Sequence, residues 1–198
     1  MQSPEALSAA LAMLHDPRLA RVVRARPLPK GITFLLEAAA GEAEALAGAA
    51  AVTGRSEATL KNAAGFFIEQ VLLSPGADSY RILGADRETS EGELRRHMAL
   101  LMRWVHPDLV ANGAAGQSFD RSVYASRVAQ AWQRIKSPER RAAYEASQAA
   151  AGGQRPADRS SGQRRRNLKS ARPSQLKIYR LPGEGIWNRL LVLLAGWR

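Results

Sequence analysis

Two runs of apolar residues at helical spacing, separated by a break at Pro107, constrain the fold more than any other feature of this chain. The first run consists of Leu94, Met98, Leu101 and Val105, and the second of Val128, Ala131, Trp132 and Ile135. A residue that precedes a proline is displaced from the α region, so the first helix must end near Val105. Two amphipathic helices joined by a loop pack most readily as an antiparallel hairpin. The sequence therefore predicts an all-α fold with residues 106–108 at the exposed end of a hairpin.

Short helices flank the predicted hairpin on both sides. Asp78 is a suitable N-cap for a short helix that ends at Gly84, and Ser137 caps a closing helix that begins with a proline. Their apolar residues expected in the core are Tyr80, Ile82, Leu83 and Tyr144. Together with the hairpin, these segments predict a four-helix domain over residues 78–147.

Residues 1–74 predict a small helical bundle of their own. Its first apolar stripe consists of Leu7, Leu11 and Leu14. Gly41 divides or loosens the long run that follows, Ser56 is a suitable N-cap for the next helix, and Ser74 precedes a Pro-Gly stop. An apolar stripe of this kind is typical of core packing, so we expect no site in this bundle.

The positive charge is concentrated at the end of the chain. The whole chain carries a net charge of +11, but residues 155–198 contain 11 Lys/Arg and 2 Asp/Glu, a balance of +9. The remainder contains 18 Lys/Arg and 16 Asp/Glu, a balance of +2. Residues 148–176 are rich in Gly, Ser, Pro and Arg, which predicts a flexible basic linker. Binding to an anionic surface is therefore expected of the tail alone.

The last segment, residues 177–198, combines apolar and basic residues. Its candidate contact residues are Trp187, Leu190, Leu191, Leu194 and Trp197. A basic linker ahead of an apolar segment with two tryptophans suits a peripheral anchor on an anionic membrane, and docking on a partner or on the chain's own helices is the alternative. Nucleic-acid binding is disfavoured because no aromatic residues interleave the basic run for base stacking.

The composition excludes several classes of site. The chain has no cysteine, which excludes disulfides, iron–sulfur clusters and a thiol nucleophile. His106 and Asp108 lack a third metal ligand at suitable spacing, and the three histidines form no recognisable triad. We therefore expect no metal and no cofactor. The N-terminus lacks a signal-peptide pattern and no apolar run is long enough to cross a bilayer, so we expect a cytoplasmic protein, with peripheral contact at the inner membrane surface as the alternative.

Four motifs in order resemble the J domain of DnaJ-type proteins. They are the opening helix at residues 78–84, the tripeptide His106-Pro107-Asp108, the core residues Ala131, Trp132 and Ile135, and the closing helix at residues 140–145. The resemblance covers about 70 of the 198 residues. The absence of cysteines and of a Gly/Phe-rich segment is similar to the specialised members of the family. A helical domain ahead of the J domain resembles the layout of the DjlA type.

The resemblance implies a co-chaperone that binds a DnaK-type heat-shock chaperone and stimulates its ATP hydrolysis, with the flanking regions directing it to a client or a location. His106, Pro107 and Asp108 would form the stimulating element, and catalysis would belong to the partner. Arg95, Arg96 and Arg103 on the first hairpin helix would contact the chaperone. A carboxylate such as Asp108 can form a charge-assisted contact with a partner arginine, and Pro107 rigidifies the loop.

The chain departs from the family on that same helix. Ala99, Leu100 and Trp104 occupy positions where the family often has Lys or Arg. Fewer positive charges weaken electrostatic steering toward an acidic partner. Two other functions therefore stay open: a J-like interaction module with weak or no ATPase stimulation, and a membrane-surface or nucleic-acid adaptor that acts through the basic tail.

Overall fold

In a computed structural model of the protein, residues 5–105 and 121–153 are described. Within these ranges the chain forms nine α-helices and one π-helical turn, without a strand. The helices are α1 Glu5–His15, α2 Leu19–Arg24, α3 Ile32–Ala39, α4 Ala43–Thr53, α5 Glu57–Phe67, α6 Ser79–Ile82, α7 Glu91–Val105, α8 Arg121–Ile135 and α9 Pro138–Gly153. The predicted all-α class is confirmed for this part of the chain.

The boundaries of the N-terminal helices follow local sequence signals. Gly41 separates α3 from α4 and adopts a φ of 79°, a left-handed conformation that other residues reach only at a cost. Ser56 is the N-cap of α5, and its side chain accepts a hydrogen bond from the backbone N–H of Thr59 at 3.3 Å. These signals divide an alanine-rich run into separate helices that can pack on one another.

The first helix packs against α5, but not through the stripe that its leucines predict. Leu7 is buried, Leu11 is half-buried and Leu14 is 38% exposed. The buried face consists of Ala6, Leu7, Ala10 and Met13. The predicted burial of Leu14 is therefore wrong, because α1 is rotated so that Ala10 and Met13 lie in the buried face and Leu14 lies outside it.

A π-helical turn, Ile68–Leu72, continues α5 and ends beside α8. Arg127 of α8 donates hydrogen bonds to the backbone carbonyls of Leu73 and Ser74, the second at 2.8 Å. Both carbonyls follow the last helical turn, and the Ser74 carbonyl also accepts a hydrogen bond from the Ala77 backbone N–H at 3.1 Å. The guanidinium of α8 thereby ties the end of the N-terminal helices to the C-terminal ones.

The two long helices α7 and α8 lie antiparallel. Arg121, at the start of α8, donates a hydrogen bond to the carbonyl of Trp104 at the end of α7, at 3.4 Å. Arg141, in the first turns of α9, donates to the carbonyl of Thr89 just before α7, at 3.0 Å. Each end of α7 is therefore adjacent to the opposite end of α8.

The closing helix is longer than predicted. α9 runs to Gly153, beyond the expected domain boundary at residue 147 and into the predicted linker. Residues 149–151 are alanines, which have the highest helix propensity and so favour continuation of the helix.

Helices α1 to α9 belong to one compact unit. α3 packs on α7, so helices from both of the domains expected from the sequence are in contact. None of the helices in residues 5–105 and 121–153 has the length and apolar character needed to cross a membrane.

Candidate partner-binding site

The predicted tripeptide His106-Pro107-Asp108 lies outside the described residues. Its position in the chain is bounded by Val105, the last residue of α7, and Arg121, the first residue of α8. Because Arg121 is hydrogen-bonded to the carbonyl of Trp104 at the end of α7, residues 106–120 connect two adjacent helix ends. In the chain, the tripeptide therefore lies between the two helices of the α7–α8 hairpin.

One side of α7 is open to solvent. Gly92, Arg95, Ala99 and Arg103 recur at helical spacing and are all exposed. We refer to these four residues as the outer stripe. Arg96 borders the stripe, and 58% of its side chain is exposed. All three arginines expected to contact a partner are therefore accessible along α7.

Each of these arginines is paired with a glutamate. Arg95 Nη2 lies 3.1 Å from Glu91 Oε1, one turn earlier on the same helix. The other two pairs join α7 to the N-terminal helices: Arg96 Nη2 lies 2.5 Å from Glu37 Oε1, and Arg103 Nη1 lies 3.5 Å from Glu42 Oε1. The Arg95 and Arg103 pairs are exposed or partly exposed, and such ion pairs contribute only about 0–1 kcal/mol to stability. These two contacts therefore matter more for local charge than for holding the fold together.

Glu37 is a buried carboxylate in the last turn of α3. Its side chain is 9% exposed, and Oε1 accepts no aligned hydrogen bond from a described residue. Burial raises the pKa of Glu37 because it disfavours the charged form, and the Arg96 guanidinium opposes that shift. The nearby charges of Glu42 and Glu44 raise the pKa further. Three carboxylates are therefore gathered at the junction of α3 and α4.

His97 joins three segments from a buried position on α7. Its Nδ1 lies 3.1 Å from the carbonyl of Leu83, and its Nε2 lies 2.8 Å from Thr33 Oγ1. A carbonyl can only accept, so Nδ1 donates, and neutral imidazole then accepts from the threonine hydroxyl through Nε2. Burial lowers the pKa of His97 and favours that neutral form. Both ring nitrogens are thus engaged in holding α7 against α3 and the end of α6.

Leu100 and Trp104 form the side of α7 that faces the N-terminal helices. Leu100 is buried and Trp104 is half-buried. A Cβ built on Gly65 of α5 would lie 3.5 Å from Trp104 Nε1, so the indole packs directly on the backbone of α5. The ring of Tyr124 on α8 lies 6.4 Å from the indole, between centroids. The sequence carries a signal for this contact. Leu100 and Trp104 are large apolar residues, and they occur on a side of α7 that would face solvent if α7 packed on α8 alone.

Most of the residues predicted for the core are buried. Tyr80, Ile82, Leu83, Leu94, Leu101, Val128, Ala131, Trp132 and Ile135 are at most 9% exposed. Met98 and Tyr144 are half-buried. These side chains pack α6, α7 and α8 together, and α9 packs on α8.

Two tyrosines fasten α6 to α9. The Tyr144 hydroxyl accepts a hydrogen bond from the Ser79 backbone N–H at 3.0 Å, and the Tyr80 hydroxyl donates to Glu145 Oε1 at 2.7 Å. The rings meet edge to face with centroids 6.0 Å apart. Burial, followed by the bond to Glu145, raises the pKa of Tyr80 to about 12. The short α6 is therefore held to α9 through the Ser79 backbone N–H and the Tyr80 hydroxyl.

A cleft of about 580 Å³ lies between residues 27–33 and residues 84–89. Its lining carries both signs of charge, with Lys30 and Arg87 as well as Asp86 and Glu93. His97 also lines it, but both of its ring nitrogens are engaged as described above. No group of three or more His, Asp or Glu side chains suited to a metal occurs in residues 5–105 and 121–150.

Comparison of the chain with protein-family models, with curated proteins and with solved structures gives no match. The candidate membrane or partner contacts Trp187, Leu190, Leu191, Leu194 and Trp197 also lie outside the part of the chain that the structure describes.

Proposed function

We propose that this chain is a J-domain co-chaperone that binds a DnaK-type heat-shock chaperone and stimulates its ATP hydrolysis. The observation that carries the proposal is the set of four motifs in order, from residues 78–84 to residues 140–145, with His106-Pro107-Asp108 between two amphipathic segments. The antiparallel α7 and α8, fastened by α6 and α9, support it, because a hairpin displays its connecting loop away from the helices' shared core.

In this proposal the chain supplies contacts and the partner supplies the chemistry. The outer stripe and Arg96 meet an acidic surface of the chaperone, while His106, Pro107 and Asp108 act on its ATPase. The chain belongs to the specialised J proteins without zinc-binding or Gly/Phe-rich regions, acts in the cytoplasm, and uses its flanking regions to select a client or a location. It has no catalytic residue of its own.

An ATPase assay tests the proposal. The hydrolysis rate of a DnaK-type chaperone is measured alone and with increasing amounts of wild type, His106→Gln or His15→Gln. His15 is exposed at the end of α1, so its variant makes the same chemical change away from α7. We expect stimulation by wild type and by His15→Gln, and none by His106→Gln. The absence of stimulation by wild type with every DnaK-type chaperone of the source organism would refute the proposal.

A J-like interaction module without strong ATPase stimulation is the second candidate. It is favoured by Ala99 at the centre of the outer stripe, with Leu100 and Trp104 turned toward the N-terminal helices. Under this alternative the wild type binds the chaperone with little acceleration of hydrolysis. Robust stimulation that falls with salt and is lost in Arg95→Glu would exclude it.

The basic tail supports a third candidate, an adaptor for an anionic membrane surface. Its 11 Lys/Arg against 2 Asp/Glu in residues 155–198 favour such binding over binding by the nearly neutral remainder. Binding to anionic vesicles that persists after deletion of residues 155–198 would contradict the tail as its cause, and binding to DNA would favour nucleic acid instead.

A further inference from the structure

The N-terminal helices enclose one flank of α7. His97 contacts Thr33 of α3 and Trp104 packs on Gly65 of α5, the buried Leu100 lies between them along α7, and α7 also packs along α8. A partner that approaches α7 from solvent therefore meets the outer stripe together with the α3–α4 junction beside it.

The α3–α4 junction carries negative charges next to the positive charges of α7. Glu37 contacts Arg96, Glu42 contacts Arg103, and the charges of Glu42 and Glu44 both act on Glu37. Two of the three arginines of α7 thus share their surroundings with three carboxylates that belong to other helices. An acidic partner surface would be attracted by the arginines and repelled by these carboxylates.

The two paired glutamates are not explained by local structure. Glu42 is the N-cap of α4, but its side chain accepts no capping hydrogen bond and instead accepts from Arg103 at 3.5 Å. Glu37 is buried in α3, where desolvation disfavours its charge. Neither side chain serves the helix that carries it, and both are directed at an arginine of α7.

We infer that Glu37 and Glu42 determine how strongly α7 attracts its partner, by offsetting the positive charge of Arg96 and Arg103. The inference rests on the proposed function and names its specificity-determining residues. The N-terminal helices thereby weaken the electrostatic steering of an acidic chaperone, and binding depends more on the loop at residues 106–108. A chaperone with a less acidic surface loses less binding affinity to the repulsion by Glu37 and Glu42. The two glutamates therefore shift the preference of α7 away from strongly acidic chaperones.

The expected size of the effect follows from Coulomb's law. One unit charge about 10 Å from a partner charge changes the interaction in water by a factor of about two at low ionic strength. We therefore expect Glu42→Gln to lower the concentration that gives half-maximal ATPase stimulation about twofold, and Glu37→Gln with Glu42→Gln about fourfold. Both differences should vanish at about 0.5 M salt, where the screening length falls to a few ångströms.

The experiment measures the half-maximal concentration of the full chain at about 20 mM and at about 0.5 M salt. It compares wild type, Glu42→Gln, the double variant and Glu57→Gln, and thermal unfolding checks that each variant is folded. Glu57 is exposed in the first turn of α5, so Glu57→Gln changes the net charge equally without removing a contact with α7. Glu42 is partly exposed, so we expect its variant to fold.

A salt-dependent gain in Glu42→Gln and the double variant, without a gain in Glu57→Gln, supports the inference. An unchanged half-maximal concentration, or an equal gain in Glu57→Gln, overturns it while His106-dependent stimulation by wild type leaves the proposed function intact. A wild type that does not stimulate at all overturns both.

Discussion

Replacing two glycines by alanine should change stability in opposite directions. Gly84, which ends the α6 segment, adopts a φ of 64°, and a Cβ there would lie 2.7 Å from Ile32 Cγ2 of α3. Gly65 lies within α5, and its Cβ would meet Trp104 at an ordinary contact distance of 3.5 Å. The same added methyl group therefore reports on backbone strain and packing at one site and on helix propensity at the other.

The magnitudes follow from these geometries. At Gly84 the left-handed conformation costs about 1–2 kcal/mol for an alanine, and overpacking against Ile32 costs about 1–3 kcal/mol. We expect Gly84→Ala to lower the free energy of unfolding by about 2–5 kcal/mol. Gly65→Ala should raise it by about 0.5–1 kcal/mol, because alanine is the better helix former and no neighbour has to move.

Urea unfolding followed by circular dichroism measures both variants against wild type. Equal slopes with shifted midpoints would show a change of stability in a two-state transition. The reasoning would be refuted if Gly84→Ala lost less than about 1 kcal/mol, since the contact between α3 and the α6 segment would then not be as close as described. A destabilised Gly65→Ala would likewise contradict the packing of Trp104 on α5.

Three other changes test single contacts. Burial lowers the pKa of His97 below its ordinary 6.5. The contribution of neutral His97 to the free energy of unfolding is therefore present above pH 6.5 and is lost as the pH falls through the folded pKa. His97→Asn should flatten this part of a stability-versus-pH curve. Arg127→Lys cannot reproduce the paired bonds to two carbonyls and should cost about 1–2 kcal/mol in urea unfolding. Tyr80→Phe removes the bond to Glu145 and should cost about 1–3 kcal/mol, and the phenol that titrates near pH 12 in wild type should disappear from the absorbance titration.

Local signals predicted much of the helical framework. The proline at position 107 placed the end of α7 at Val105, where the structure has it. Gly41 placed the division between α3 and α4. Asp78, the predicted N-cap of α6, accepts a capping bond from the Arg81 backbone N–H at 2.9 Å. Each of these features depends on residues a few positions apart, which a single sequence displays directly.

Such local signals do not predict contacts between segments that are far apart in the chain. Leu100 and Trp104 differ from the basic residues common in the J-domain family, and the sequence indicated only a weaker positive face. In the structure the same residues seat α7 against the N-terminal helices. The pairing of Arg96 with Glu37 joins positions far apart in the chain, and no local pattern specifies which carboxylate a helix will meet. Leu14 shows the same limit, because its exposure depends on how α1 is rotated against α5.

We propose that His106-Pro107-Asp108 stimulates a DnaK-type ATPase. Single-turnover hydrolysis of ATP already bound to the chaperone tests it most directly, because nucleotide exchange does not contribute to the rate. We predict that wild type and His15→Gln accelerate hydrolysis equally and that His106→Gln leaves the basal rate unchanged. Equal acceleration by His106→Gln and His15→Gln would contradict the claim.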